Sequence, residues 1–486
     1  MGTQVTDYTL YRWRYVLGYG LIGLTIAGLL AVAGLYIPGG LSVAEQQSVV
    51  TSNALSFSLD SFDPTAIINL PYHLLQRASI ELFGLTLLAI KLPSLLLGLV
   101  TAAGILMLLR MWFRANVAII TTILVITTGQ FLFVAQSGTE NIMYLLLSTW
   151  LLVAALKVSR KAKFSGLWKI SLFAIAALSL YTPLSIHILI ALLSAIILHP
   201  HLRFIVRRLS KTKLLIAGAS ALVITIPLMY AIWKDQSIGL TLLGIPQTMS
   251  NIGANAIQLI KQYIDFLTPN SSALMSPIYS LGSMILILLG ILRLATTKYT
   301  ARSYITVTWI VLLLPVLVLN PNLVSVTFVP VFLLMAMGIS TLLNNWYKLF
   351  PRNPYARIAG LIPLAVLIGG LIFSGIDRYV YGYLYAPQTA SNFSQDLRII
   401  TDELNKKDRE PTMLVASEDE KPFYEVIAKH HEKVSVVSSI PEAPAPLVIA
   451  SRKTQPQALP QPPQTILTDS MTGDSDRFYI YKTGAK

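Results

Sequence analysis

Residues 16–36 read VLGYGLIGLTIAGLLAVAGLY, an uncharged run with Arg12 and Arg14 just ahead of it. About 20 consecutive apolar residues are needed to cross ~30 Å of hydrocarbon as a helix, whereas the apolar core of a signal peptide is usually shorter. Ala31-Val-Ala33 has the small-residue spacing of a signal-peptidase site. The apolar stretch continues past it, so the run predicts an uncleaved signal anchor with its arginines on the cytoplasmic side.

The same kind of run recurs along the chain. Further spans are expected at Leu87–Leu109, Val117–Ala135, Ile142–Leu156, Leu167–Tyr181, Leu184–Leu198, Leu214–Trp233, Ile278–Leu294, Ile305–Leu319, Val324–Leu343 and Ile358–Phe373. The fold class expected is a polytopic α-helical membrane protein of about 11 transmembrane helices with a small C-terminal α/β extracytoplasmic domain. Composition agrees: of 486 residues 54% are hydrophobic and 12% charged, and the mean hydropathy is +0.63. A chain so poor in charge cannot cover a soluble globule, so most of it faces lipid. Cysteine is absent, which excludes disulfides, thiolate metal sites and a cysteine nucleophile.

The net charge of +14 sits in short loops between apolar runs, which reads as topology and excludes nucleic acid as a partner. With the N-terminus inside, the cytoplasmic loops carry Arg110 and Arg114, the Lys157–Lys169 cluster, the Arg203–Lys213 cluster, Arg293, Lys298 and Arg302, then Lys348, Arg352 and Arg357. The outer side, ahead of the tail, has only Arg77, Lys91, Lys234 and Lys261. Fusing the two runs that meet at Pro183 would put the Arg203–Lys213 cluster outside, against the positive-inside rule. They are therefore read as two spans. The expected location is a multi-pass cell membrane protein, N-terminus cytoplasmic and C-terminal domain extracytoplasmic.

Three regions follow: a transmembrane domain over 1–376, with long outer loops at 37–86 and 234–277; a tyrosine-rich juxtamembrane segment over 377–391; and a soluble α/β domain over 392–486. In the second outer loop Ile257, Ile260, Ile264 and Leu267 share a helical face opposite Lys261 and Asp265, the pattern of a helix lying in the interface. In the tail, 392–407 and 422–431 read as helices. Thr412–Ala416, Val434–Val437, Leu447–Ala450 and Phe478–Tyr481 read as strands, and the proline-rich tract 441–463 as loop. No internal repeat is visible.

No soluble-enzyme motif is present: there is no glycine-rich phosphate loop, His-Glu-x-x-His or Gly-x-Ser-x-Gly. The six histidines are scattered, and no cofactor or divalent metal is indicated. The outer acids draw attention instead: Glu45, Asp60, Asp63, Glu81 and Glu140 all fall outside, and carboxylates do not set topology.

The first outer loop reads Gly40-Leu-Ser-Val-Ala-Glu45-Gln-Gln, later Asn69-Leu-Pro-Tyr-His73-Leu-Leu, then Glu81-Leu-Phe-Gly84-Leu-Thr-Leu-Leu-Ala-Ile-Lys91-Leu-Pro-Ser94. This order resembles the GT-C superfamily of membrane glycosyltransferases, especially its protein O-mannosyltransferase and aminoarabinose-transferase branch. In that family an acidic pair follows the first span, and a Leu-Phe-Gly … Arg-Leu-Pro-Ser segment opens the second. Ala135-Gln-Ser-Gly-Thr-Glu140 and Phe328-Val-Pro330 extend the likeness. The chain departs from the family at Ala44, where an Asp is usual, at Lys91 in place of Arg, and at Val326-Thr327, where many relatives have a basic residue.

The resemblance implies inverting transfer of a sugar from a polyprenyl-phosphate carrier to an extracytoplasmic acceptor, with a carboxylate accepting the proton and cations meeting the leaving phosphate. It makes Glu45 the expected base, against a plain solvated loop acid. Lys91 is expected either at the carrier phosphate or as a snorkelling anchor. Glu140 is expected either at the site or, with Thr139 as N-cap, as a helix-dipole partner. His73, Asp60 and Asp63 are candidates for the acceptor side, and Arg77 and Lys261 for the phosphate. Two other classes stay open: a transporter or flippase, disfavoured by spans nearly free of charge, and a non-catalytic assembly factor on the same fold, which Ala44 keeps alive.

Overall fold

In the computed structural model the residues described are 9–55, 63–160, 163–246, 248, 251–266, 276–297, 300–349, 354–386, 389, 391–406, 411–441, 444–457, 459, 461–469 and 476–483. Asp60 and Leu267 lie outside them.

Each predicted apolar run lies largely on helix. Seven helices are long and apolar enough to cross a membrane. They belong to α1 (Thr9–Tyr36), α4 (Leu87–Trp112), α7 (Ile142–Ser159), α11 (Lys211–Lys234), α15 (Ala301–Leu319), α16 (Phe328–Leu349, with the 3-10 turn Pro321–Thr327 ahead of it) and α17 (Pro354–Leu384). Two bent pairs qualify as broken spans: α5 (Ala115–Ile126) with α6 (Gly129–Gln136), at 63°, and α9 (Ser185–Leu198) with α10 (Pro200–Arg207), at 96°. Two shorter apolar helices, α8 (Ser165–Ser179) and α14 (Leu281–Thr296), fall below that length, so the described residues give 7 candidate spans, or up to 9 with each bent pair taken as one, against the 11 expected. The chain is an integral membrane protein.

The run expected as one span at 117–135 is broken. Thr128 takes an extended conformation and caps a new helix by accepting from the Phe131 N–H, so the backbone turns at Thr127-Thr128. The last span crosses there: a side chain at Gly375 would meet the Thr127 carbonyl at 2.3 Å, so only glycine allows the approach. The runs either side of Pro183 form separate helices, as the charge argument required.

The two long loops expected on the outer side are structured. The first contains β1 (Leu41–Ser42), α2 (Val43–Ala54), a 3-10 turn at Pro64–Ile67 and α3 (Leu70–Phe83). The second contains α12 (Gln236–Leu243) and α13 (Ile252–Ile264), on which Ile257, Ile260 and Ile264 are exposed and Leu259 buried. An amphipathic helix with its apolar face uncovered is suited to lie in lipid headgroups.

α17 runs on through the tyrosine-rich segment. Tyr379 and Tyr383 turn inward, Tyr383 stacking on Phe133 and Tyr379 donating its hydroxyl to the Ile37 carbonyl at 2.8 Å, while Tyr381 and Tyr385 are exposed.

Beyond it, β2 (Phe393–Ser394) pairs antiparallel with β1, which ties the tail to the first outer loop. The tail continues through α18 (Asp396–Lys406), β3 (Thr412–Val415), α19 (Lys421–Lys429), β4 (Val434–Val437), β5 (Leu447–Ser451), β6 (Thr465–Thr468) and β7 (Asp476–Lys482). The sheet order is β4-β3-β5-β7-β6, parallel over the first three strands and antiparallel at β7 and β6. β6 was not expected: it is a mostly exposed edge strand following the prolines.

One apolar core joins the two parts, with Leu41, Val49, Ile80 and Ile90 packing with Leu397, Ile400, Phe423 and Ile427. The sheet domain is therefore seated on the helices of the first long loop.

Candidate functional site

Under that seat, α2, α3, the start of α4 and the α6–α7 turn converge on a buried polar network. Its framework follows from local sequence. Ser42 and Glu45 form a capping box at the start of α2: Ser42 Oγ accepts from the Glu45 N–H at 3.3 Å, and Glu45 Oε2 accepts from the Ser42 N–H at 2.7 Å. Pro93, inside α4, cannot donate to the Ala89 carbonyl one turn earlier, and the Ser79 hydroxyl takes that carbonyl at 2.7 Å.

Glu45 is fully buried, unlike a loop acid in solvent. Its other oxygen, Oε1, accepts from the Gly138 N–H at 2.7 Å and lies 3.5 Å from the Lys91 ammonium. Lys91 is equally buried and donates to Gln136 Oε1 at 2.8 Å. Both groups expected to face substrate or lipid therefore face each other. A side chain at Gly138 would meet Ile90 at 2.8 Å, so glycine is what lets the turn bring its N–H to the carboxylate. Removing one member of such a buried pair costs about 3–5 kcal/mol, because the other charge is left unpaired.

Gln76 is a hub that the sequence reading missed. Its amide donates to the carbonyls of Gly138 (2.8 Å) and Ile90 (3.3 Å), and Oε1 accepts from Ser48 (2.9 Å) and Ser52 (2.7 Å). Two carbonyl partners fix the NH2 end, so Ser52 must give its single proton to Gln76. Ser52 Oγ, 2.9 Å from His73 Nδ1, then accepts from it. His73 is held as the Nδ1–H tautomer, and burial pushes its pKa down to about 4, so it is neutral. The available signal was spacing: His73 and Gln76 share a face of α3, as Ser48 and Ser52 do of α2.

Glu140 is different. The structure places it in the turn ahead of α7, whose N-cap is Asn141, so the expected Thr139 cap with Glu140 in the first turn is not formed. Thr139 instead joins a turn cluster: its hydroxyl lies 2.9 Å from that of Ser137 and accepts from Asn141 at 3.1 Å. Its carbonyl accepts from Ser94 Oγ at 3.3 Å, and Tyr72 donates to Ser94 at 2.8 Å. Glu140 is partly buried, within electrostatic range of Tyr72 and Tyr144, and has no ion-pair partner among the described residues. Burial pushes its carboxyl above the ordinary range, offset in part by its own backbone N–H.

The other candidates scatter. Asp63 caps the 3-10 turn, accepting from Thr65 N at 2.9 Å and Thr65 Oγ1 at 2.8 Å. Arg77 pairs with Glu81 at 2.7 Å and donates to the Leu55 carbonyl. Lys261 is exposed on α13. A cleft of about 620 Å³ opens between the outer ends of α1, α4 and α17 and the sheet domain, walled by Tyr36, Leu41, Leu87, Leu384 and Arg398. None of the described candidates lines it. No cluster of metal-ligating side chains occurs among the described residues.

The structure thus combines membrane helices, structured long loops carrying a buried acid–lysine pair, and a docked sheet domain. Residues 70–233 match the family described as dolichyl-phosphate-mannose-protein mannosyltransferase. Two solved structures from Cupriavidus metallidurans are similar in fold. ArnT in the apo state has 13% sequence identity and a TM-score of 0.54, covering 96% of this chain and 98% of that one. ArnT bound to undecaprenyl phosphate has 14% identity and a TM-score of 0.52, covering 95% and 97%. No curated protein matches by sequence. The family match thus covers about a third of the chain, and the likeness to ArnT extends over nearly all of it as a likeness of fold.

Proposed function

We propose that the protein transfers a sugar from a polyprenyl-phosphate carrier to an extracytoplasmic acceptor, with inversion, and that Glu140 is the proton acceptor. The observation that carries the assignment is the contrast in partners: Glu45 has both oxygens engaged by neighbours and no surface, while Glu140 keeps some exposure, has no ion-pair partner among the described residues, is met only by its own backbone N–H, and is pushed up by burial. The carrier class is supported by the ArnT structure with undecaprenyl phosphate. The outward orientation is supported by the gathering of Lys and Arg in the loops at the opposite end.

In the step, an acceptor hydroxyl or amine attacks the anomeric carbon from the face opposite the phosphate. The C1–O bond to the carrier phosphate breaks, the acceptor proton passes to the Glu140 carboxylate, and polyprenyl phosphate leaves with the bonding pair. Glu45 and Lys91 hold the α6–α7 turn, and so Glu140, in place.

Radiolabelled sugar transfer from a polyprenyl-phosphate donor by the purified protein tests this. Transfer by the wild type with loss in Glu140→Gln is expected. Loss only in Glu45→Gln returns the base to Glu45. No transfer by the wild type, together with the sealed Glu45 and Ala44, favours a non-catalytic relative, and flux into sealed vesicles favours a transporter.

A further inference from the structure

At the end of the bundle away from the sheet domain, α9 stops at His199, which is extended ahead of Pro200, and α10 turns off at 96°. α10 is amphipathic. Leu202, Ile205 and Val206 point to one side, with Leu209 beyond, while Arg203, Arg207 and Arg208 are exposed on the other, and Lys211 and Lys213 follow, also exposed. Beneath the apolar side lies a cavity of about 230 Å³, lined by Leu152, Leu172, Ala195, Leu202, Ile205 and Ile305 among others, with Ser159 the one hydroxyl in its wall.

These cations have no acid nearby in sequence to answer them, because residues 141–234 contain no Asp or Glu. The acids on either side, Glu140 and Asp235, belong to the opposite end, with the α6–α7 turn and α12. A cationic helix roofing an apolar hole at a membrane boundary asks for one chemistry: a hydrocarbon chain below and an anion at the roof.

We propose that this cavity binds an anionic phospholipid from the adjoining leaflet, one acyl chain entering between α7, α8, α9 and α15 and the headgroup phosphate meeting the α10 arginines. The site is separate from the outer network and independent of the proposed transfer reaction. Bound there, the lipid ties α10 to the ends of four helices and supplies the counter-charge that residues 141–234 lack.

Native mass spectrometry of the full chain, with phosphatidylglycerol and phosphatidylcholine of identical acyl chains as probes, tests it. The expected result is one retained lipid with a preference for phosphatidylglycerol of about five-fold or more. The triple variant Arg203→Ala, Arg207→Ala, Arg208→Ala should bring the two lipids to parity. Ala195→Trp, which fills the cavity, should lose the lipid with every cation intact; Leu202→Trp serves if Ala195→Trp loses helicity by circular dichroism. Equal retention of both lipids by the wild type, retention unaffected by cavity filling, or displacement by inorganic pyrophosphate alone would overturn the proposal.

Discussion

Glu45 and Glu140 meet at one turn, between α6 and α7, and the chain treats them in opposite ways. Glu45 is enclosed by Ser42, Gly138 and Lys91, with no surface. Glu140, beyond Gly138, has only partial cover and two tyrosine hydroxyls in electrostatic range. A carboxylate with its lone pairs spent holds geometry, whereas one met only by its own backbone N–H in a mostly buried site keeps a lone pair for substrate at a desolvation cost. The comparison separates what builds the outer site from what is free to act in it.

The largest effect should come from the free acid. Glu140→Gln is expected to lower transfer by about 10²–10⁴-fold with the melting temperature nearly unchanged. Because burial raises the Glu140 carboxyl and a base works deprotonated, the acid limb of wild-type kcat/KM should lie above the ordinary carboxylate range and vanish in the variant. A limb at the ordinary position would break the contrast.

Next is the sealed pair. Lys91→Met should cost about 3–5 kcal/mol by stranding Glu45, read as a fall in thermal stability in detergent. Lys91→Arg should also destabilise, since a fully enclosed site has no room for a guanidinium. The double variant Glu45→Gln, Lys91→Met should recover part of the loss. A stable Lys91→Met protein with weakened carrier binding would instead place the lysine at the phosphate.

His73 gives the third test. Its pKa falls from an ordinary 6.5 to about 4 on folding, so the folded state binds fewer protons. The associated stability is present above pH 6.5 and lost as pH falls through that window, by roughly 3 kcal/mol at full protonation. Acid melts of the wild type should show this loss, and His73→Gln should flatten it. No difference between the two would mean that burial does not hold His73 neutral.

The membrane helices were legible because hydrocarbon thickness imposes a length that polar residues interrupt, and the outer loops because their acids and amphipathic faces have no place in lipid. The bend at Thr127-Thr128 was hidden, since threonines fit an apolar run and what breaks the helix is a cap together with the approach of Gly375 from far along the chain. The course of α17 was obscured by Asp377 and Arg378, which suggest an end, while Tyr379 and Tyr383 bury against Ile37 and Phe133. The site was half legible. Glu45, Lys91 and His73 do converge, but the group that joins them, Gln76, bonds to Gly138, 62 positions away, and no local pattern announces such a partner. Asp63 and Arg77 attracted notice by charge alone, and their neighbours Thr65 and Glu81 account for them.

The smallest effect should come from Asp63, and it tests the contrast from the other side. Its Oδ1 accepts two hydrogen bonds from Thr65 on an exposed turn, so Asp63→Ala removes a cap worth about 1 kcal/mol. Among the described residues the hydrogen-bond partners of Asp63 lie within that turn, so kcat/KM for transfer should stay within about two-fold while the melting temperature drops slightly. Asp63→Asn, which keeps the acceptor oxygen and drops the charge, should restore the stability. If Asp63→Asn instead cuts transfer several-fold at unchanged stability, a capped carboxylate is contacting the acceptor. Partner count would then no longer distinguish structural acids from working ones in this protein.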